Sequence, residues 1–148
     1  MKIMGIDVGD KTIGIAVSDP LEITAQGITT LERVGIRKDA GAVIVLAEAH
    51  GCERIVVGLP LKLDGTYSIQ TDKVAAFKTM LENKLRGTGK KIELIFHDER
   101  FTTVIAKRVL IEADLSRKKQ KSVIDKQAAV VILQSYLDGA SAKRGALE

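Results

Sequence analysis

Residues Lys2 to Val8 are mostly apolar and predict a strand, and Asp7 is an acidic residue inside it. Because strand side chains alternate between faces, Asp7 shares its face with Ile3 and Gly5. A carboxylate in that position is costly unless it is paired or binds a cation. An Asp that bonds to the amides of the turn at Gly9 to Thr12 explains the position equally well.

Two further acids, Asp98 and Glu99, directly follow a predicted strand and precede a predicted helix. Acids at such positions commonly cap helix amides and interact favourably with the helix dipole. Thr102 and Thr103 are able to cap that helix themselves. At least one of the two acids is then available for another role.

Asp125 lies near the start of the predicted last helix, Val123 to Leu137. Four residues follow it at offsets of three, four, seven and eleven and share its helical face: Ala128, Ala129, Ile132 and Tyr136. This face is apolar, so the spacing predicts that Asp125 points toward the core. An acid that stabilises the helix N-terminus, with Ser122 as the cap, explains its place along the helix but not this direction.

Small residues predict that the last helix packs closely on the first two strands: Gly5, Gly14 and Ala16 on the strands, Ala128 and Ala129 on the helix. We expect this approach to bring Asp125 toward Asp7, with Glu99 arriving from the fifth strand. Three carboxylates cannot remain ionised together without cations. Their hard oxygens suit Mg²⁺ or Mn²⁺, and one Cys and two His provide no zinc cluster. Two such cations would activate a water and stabilise the leaving oxygen of a phosphodiester.

The elements that must position these acids begin with three strands predicted to be antiparallel: Lys2–Val8, Thr12–Ser18 and Ile23–Thr30. Two amphipathic helices and two further strands follow in alternation, and two helical segments complete the chain. The predicted bounds are a helix ended by Gly51, a strand at Arg54–Val57, a loop at Pro60–Ile69, a helix at Val74–Leu85, a strand at Ile92–Phe96, a helix at Thr102–Ala113 and the last helix. This order predicts an α/β fold: a mixed five-stranded sheet, three antiparallel strands then two parallel, with helices on both faces.

The composition fits one globular domain. Of 148 residues, 45% are hydrophobic and 28% charged. We expect residues 1–138 to form the domain and residues 139–148 a flexible C-terminal tail. Aromatic residues at 3% argue against a single-stranded binder built on stacked rings, whereas a net charge of +4 permits a polyanionic partner. The sequence predicts no signal peptide or membrane span, so we expect a cytoplasmic location and no membrane partner.

Four ordered motifs cover nearly the whole chain: Asp7–Asp19, Val56–Leu61 with Asp64-Gly65, Asp98–Thr103, and Lys121–Ala129 continued by Ile132–Leu137. Together they resemble the YqgF family, known as Holliday-junction-resolvase-like proteins or pre-16S rRNA nucleases. The resemblance implies a ribonuclease H-like fold with Asp7, Glu99 and Asp125 as catalytic acids. It also implies a role in maturing the 5′ end of 16S rRNA, with ribosomal precursor particles as partners.

The chain departs from the family pattern at two positions. Thr12 stands where the family usually has Arg, and His97 where it often has an aromatic residue. The first departure removes one cation that would contact phosphate, but neither removes a metal ligand.

Six basic residues are predicted to contact nucleic acid. Lys11 and Arg100 flank proposed ligands, and four others form a predicted flexible loop before the Asp125 helix: Arg117, Lys118, Lys119 and Lys121. A solvated charged loop is the alternative interpretation of that run.

Three other functions compete with an RNA nuclease. An actin-like ATPase or sugar kinase also opens with Asp-x-Gly in a hairpin, but it needs two such domains and the chain has length for one. A non-catalytic nucleic-acid-binding module would not need the three acids. A resolvase of branched DNA would use the same chemistry and should act as a two-fold dimer. The sequence leaves monomer and homodimer, and RNA and DNA, open.

Overall fold

A single five-stranded sheet forms the centre of the computed structural model, which describes the backbone of residues 1–101 and 117–147 and the side chains of residues 1–100 and 126–142. Its order is β3-β2-β1-β4-β5. The strands are β1 (Lys2–Val8), β2 (Thr12–Ser18), β3 (Ala25–Glu32), β4 (Cys52–Leu59) and β5 (Glu93–Asp98). β1 to β3 pair antiparallel, whereas β4 is parallel to both β1 and β5. The predicted mixed sheet is therefore confirmed.

Helices cover both faces of this sheet, as predicted. They are α1 (Ile36–Ala49), α2 (Ile69–Leu85) and α3 (Arg117–Leu147). Alternation along β1 sends Met4 and Ile6 into the core beneath α1 and α2, and Ile3 into the core beneath α3. None of the described helices is long and apolar enough to cross a membrane.

The third strand begins two residues later than predicted. The carboxylate of Asp19 accepts hydrogen bonds from the backbone N–H groups of Ile23 (2.7 Å) and Thr24 (2.8 Å). These bonds hold residues 21–24 in a turn, so pairing with β2 starts at Ala25. The apolar pattern at Ile23 does not reveal this side-chain competition for the backbone.

The last helix is longer at both ends than the sequence predicted. The backbone at Arg117, Lys118, Lys119 and Lys121 is helical, so the predicted loop is wrong, and the helix continues past Leu137 to Leu147. Lys, Arg, Gln and Ala have high helix propensity, and neither the basic run nor Gly139 ends the helix. The flexibility of residues 139–148 stays a prediction. The predicted helix at Thr102–Ala113 lies outside the described residues.

The predicted close approach of the last helix to the first strands is confirmed at Gly5. A Cβ atom there would lie 2.6 Å from the Leu133 Cβ and 3.2 Å from the Ala129 carbonyl oxygen. Ala16, Ala128 and Ala129 are buried in the same cluster. Glycine at this position therefore sets the distance between α3 and β1.

Asp39 is a buried carboxylate that joins the end of β3 to the start of α1. It accepts hydrogen bonds from Arg33 Nε at 2.7 Å and from the backbone N–H groups of Val34 and Gly35. Arg33 also donates to the Gly9 carbonyl oxygen in the turn after β1, at 2.8 Å. Burial opposes ionisation of Asp39, but these donors outweigh it and hold its pKa below the ordinary value.

Asp39→Asn should lower the free energy of unfolding by about 1–2 kcal/mol at neutral pH. Because the folded-state pKa is depressed, this stability is present above the unfolded pKa and is lost as pH falls through the folded pKa. The difference between wild type and variant should therefore close in acid. Urea denaturation at neutral pH and well below the ordinary carboxyl pKa measures it, and a difference that stays constant would contradict the assignment.

Candidate functional site

Asp7 lies one residue before the end of β1, on the face that α3 covers, and is only 5% exposed. Its register partner in β2 is Gly14. In β4, Gly58 follows Val57, the partner of Ile6, so the next position beside Asp7 is also a glycine. The carboxylate therefore lies between two strand positions that carry no side chain.

Glu99 follows β5 directly, in a short 3-10 helix (Glu99–Phe101). Its Oε1 lies 2.8 Å from the place that a Cβ of Gly58 would occupy, and the Ile132 Cδ1 lies 2.5 Å from the same place. The Glu99 carboxylate thus reaches back over the end of β4, on the face covered by α3. Asp7 near the end of β1 and Glu99 after β5 therefore flank the end of β4, so two of the three predicted acids lie at the carboxyl ends of neighbouring parallel strands.

The backbone of Asp125 lies in α3, and its side chain is outside the described residues. The carbonyl oxygen of Ala129 lies over Gly5. Farther along α3, Gln134 bonds to the backbone at Ala25, where β3 begins, so the helix runs opposite to β1. Asp125 is four residues before Ala129, about 6 Å along the helix, and Asp7 is two residues after Gly5, about 7 Å along the strand. The backbone of Asp125 therefore lies over the end of β1 that carries Asp7.

Among the side chains that the structure describes, no group of three His, Cys, Asp or Glu residues is arranged to hold a metal ion. The predicted set of Asp7, Glu99 and Asp125 includes one side chain outside that description. Its assignment as a metal site stays a prediction.

The carboxylate of Asp98 forms a salt bridge with Arg100. Arg100 donates from Nε and Nη2 to Asp98 Oδ2, at 2.9 and 2.7 Å. The Arg100 hydrogen bonds hold the pKa of Asp98 below its ordinary value. Of these two adjacent acids, Glu99 is therefore the one that faces Gly58.

The six predicted nucleic-acid contacts fall into three groups. Lys11 is exposed in the turn after β1. Arg100 is held by Asp98 and also donates to the Leu63 carbonyl oxygen at 3.3 Å. The remaining four residues lie in the first turns of α3, and their side chains are outside the described residues: Arg117, Lys118, Lys119 and Lys121.

His97 and Thr12, the departures from the family pattern, both lie on the α3 face of the sheet. His97 Nε2 is 3.0 Å from Ser135 Oγ, and its ring meets Tyr136 edge to face. Burial lowers the pKa of His97. The Thr12 hydroxyl is buried and has no hydrogen-bond partner among the described residues. His97 thus takes a packing position between β5 and α3.

Gly58 and Gln70 help to build the site, although the sequence did not single them out. A glycine inside the apolar run Val56–Leu59 is a signal of close approach by another group. Gln70, in the first turn of α2, donates from Nε2 to the Val8 carbonyl oxygen at 3.2 Å. That contact joins α2 to the residue after Asp7, and no sequence pattern indicates it.

Comparison with known proteins identifies the family. A family model described as "RuvX: Holliday junction resolvase" matches residues 1–139. A Clostridium novyi (strain NT) protein named "Putative pre-16S rRNA nuclease" is 46% identical over 138 residues, which are 93% of this chain and 98% of that protein. A Moorella thermoacetica protein of the same name is 49% identical over 138 residues, 93% and 95% of the two chains.

Solved structures share the fold at low sequence identity. T. thermophilus RuvC in complex with a Holliday junction substrate has a TM-score of 0.61 and 14% identity, covering 98% of this chain and 96% of that chain. The fowlpox virus resolvase in complex with Holliday junction DNA has a TM-score of 0.56 and 14% identity, covering 95% and 99%. These resolvases have a ribonuclease H-like fold, which confirms the predicted fold class. On its sequence match, the chain belongs to the RuvX family of Holliday junction resolvases, and the YqgF resemblance is confirmed.

Proposed function

We propose that the protein is a divalent-metal-dependent nuclease that matures the 5′ end of pre-16S rRNA in the cytoplasm. Membership of the RuvX family and relatives named as pre-16S rRNA nucleases support a hydrolase of phosphodiester bonds with a nucleic-acid partner. One observation carries the proposal in this chain. Asp7 is buried near the end of β1, and Glu99 Oε1 lies over Gly58 near the end of the neighbouring strand β4.

The donor set fits Mg²⁺ or Mn²⁺, and we assign Asp7, Glu99 and Asp125 as its ligands. Carboxylate oxygens are the hard ligands that these cations prefer. Two carboxylates on either side of Gly58 repel each other when both are ionised, and a cation removes that cost. When bound, it supplies the charge that lowers the pKa of an attacking water and stabilises a leaving oxygen.

The chain itself contributes position and water exclusion. Asp7 is held in a strand paired on both sides, and Glu99 is fixed by the 3-10 helix at the end of β5. Ile132 of α3 packs against Gly58 and shields the space between them from one side. Acids on rigid elements hold their geometry better than acids on loops. Lys11 and the basic residues of the first turns of α3 are the groups we assign to substrate phosphates.

A cleavage assay tests substrate and metal together. The protein is incubated with a 5′ precursor fragment of 16S rRNA or with a four-way DNA junction, each with Mg²⁺, with Mn²⁺ or with EDTA. We expect cleavage of the RNA with either cation, its loss in EDTA, and its return when Mn²⁺ is added back. Cleavage that persists in EDTA contradicts the metal site. If the protein binds the RNA but cleaves neither substrate under any of these conditions, a non-catalytic binding module is favoured.

Resolution of DNA junctions is the second candidate. It is favoured by the family description and by fold neighbours solved with junction DNA. A resolvase that cuts symmetric strands should act as a two-fold dimer. Cleavage of the junction but not of the RNA, together with two protein chains per junction in sedimentation, would replace the first candidate by this one.

A further inference from the structure

The loop between β4 and α2, residues 60–68, presents large apolar side chains to solvent. Leu63 is 91% exposed, Tyr67 52%, and Ile69, the first residue of α2, 78%. We call these three residues the apolar lip. Single exposed apolar residues are common on protein surfaces, but three within seven residues concentrate apolar surface on one short segment, which points to a binding contact.

The loop that carries the apolar lip is internally bonded. Asp64 Oδ1 accepts from the Thr66 N–H at 2.9 Å and from the Thr66 hydroxyl at 2.6 Å. Lys62 N donates to Thr66 O at 3.0 Å, and Gly65 N to Lys62 O at 2.8 Å. The apolar side chains are therefore held outward by an ordered backbone.

The loop and the first turn of α2 that follows it are bonded to residues next to the proposed ligands. On one side Arg100, which follows Glu99, donates to the Leu63 carbonyl oxygen. Arg100 also packs on Gly65, where a Cβ atom would lie 3.0 Å from Nη1. On the other side Gln70 donates to Val8, which follows Asp7. The apolar lip is thus fixed beside the carboxyl ends of β1 and β5, next to the residues that follow Asp7 and Glu99.

We propose that the apolar lip binds an unstacked nucleobase of the substrate strand, and that Arg100 is a positioning residue that holds the lip beside Glu99. The inference rests on the proposed nuclease function, because the Arg100 and Gln70 bonds place the lip next to the residues that follow Glu99 and Asp7, where the substrate strand would bind. Base faces bind aromatic and aliphatic side chains without regard to sequence. Lys62, exposed in the same loop, is placed to meet the neighbouring phosphate.

The size of the patch separates a base from a protein partner. A stable protein interface buries about 800 Å² on each side, far more than three side chains supply. One unstacked base matches their extent. The low aromatic content of the chain also agrees with one local contact and not with a long row of stacked bases.

Binding to abasic oligonucleotides tests the contact apart from cleavage. In an Asp7→Asn background with Mg²⁺, fluorescence anisotropy compares short single-stranded RNAs and DNAs with versions that lack one base at successive positions. We expect one missing base to weaken binding about tenfold. Leu63→Ser with Tyr67→Ala should bind the intact strand as weakly as the abasic one. Leu21→Ala with Val45→Ala, two exposed apolar residues elsewhere, is the matched control and should keep the tenfold difference.

A base preference that survives in the Leu63→Ser, Tyr67→Ala variant would overturn the proposal. So would loss of the preference in the control variant, or failure of the parent to bind any of these strands. A wild-type protein that cleaves nothing but shows the lip-dependent preference would instead remove the nuclease function and leave the base contact standing.

Salt dependence tests the role of Arg100. A phosphate contact would contribute about one unit to the slope of log affinity against log salt. Arg100→Ala should therefore abolish the preference for a base while leaving that slope unchanged, and Arg100→Lys should restore part of the preference. A slope reduced by about one unit would make Arg100 a phosphate ligand and reject the positioning role.

Discussion

Asp7→Asn should reduce metal-dependent cleavage by more than about 100-fold, since loss of groups that only support metal ligands already costs 10- to 100-fold. The amide has the shape of the carboxylate but lacks its charge, so it binds a divalent cation poorly. Because the amide group occupies nearly the same volume as the carboxylate, the substitution should fit the buried position of Asp7 without a clash. Single-turnover cleavage with saturating Mg²⁺ measures the loss, and circular dichroism with urea denaturation confirms that the variant is folded.

Substitutions of the two adjacent acids at the end of β5 provide the matched comparison. Glu99→Gln should cause a loss similar to that of Asp7→Asn, because Glu99 faces Gly58. Asp98→Asn changes the neighbouring acid, which is bonded to Arg100, and should cost much less. Equal losses at positions 98 and 99 would argue against a specific ligand role for Glu99. Full activity of Asp7→Asn would reject the site.

The sequence predicted the face of the sheet on which Asp7 lies better than the bounds of the elements. Alternation along β1 placed Asp7 on the inner face correctly, because a paired strand leaves its side chains only two directions. Helical spacing likewise predicted an inward-facing stripe through Ala129 and Ile132, both of which are buried. Such periodic patterns depend on local geometry alone and can therefore be derived from the chain without its tertiary contacts.

The features that the sequence did not reveal depend on contacts between distant segments. Asp98 and Glu99 are adjacent acids with the same local signals, and the contact of Glu99 with Gly58 in β4 separates their roles. The Gln70 contact to the end of β1 joins residues that are 62 positions apart. Neither hydrophobic periodicity nor secondary-structure propensity predicts such contacts, because they depend on how the helices pack on the sheet.

Gly58→Ala should reduce the cleavage rate constant about 100-fold, the cost of displacing a reacting group by about 1 Å. The new methyl group would lie 2.8 Å from Glu99 Oε1, so the carboxylate must move. It would also lie 2.5 Å from Ile132 Cδ1, and this overpacking should lower the free energy of unfolding by about 1–3 kcal/mol. Single-turnover kinetics and urea denaturation of the same sample measure both effects.

Control substitutions separate the two consequences of that methyl group. Gly139→Ala, in a helical position with nothing within 4 Å, should raise stability by about 1 kcal/mol and leave cleavage unchanged. Ile15→Val, on the opposite face of the sheet, should lower stability by about 1 kcal/mol, again without an effect on cleavage. If both variants cleave at the wild-type rate, neither an added methyl group nor a modest loss of stability accounts for a reduced cleavage rate constant in Gly58→Ala.

The double variant Gly58→Ala, Ile132→Val distinguishes the site from the core. Valine lacks the Cδ1 atom that the new methyl group would strike, so part of the lost stability should return. The contact with Glu99 Oε1 remains, and the cleavage rate should stay low. If stability and rate recovered together, the defect of Gly58→Ala would lie in the packing of α3 on β4, and the position of Glu99 beside Gly58 would not matter for the chemistry.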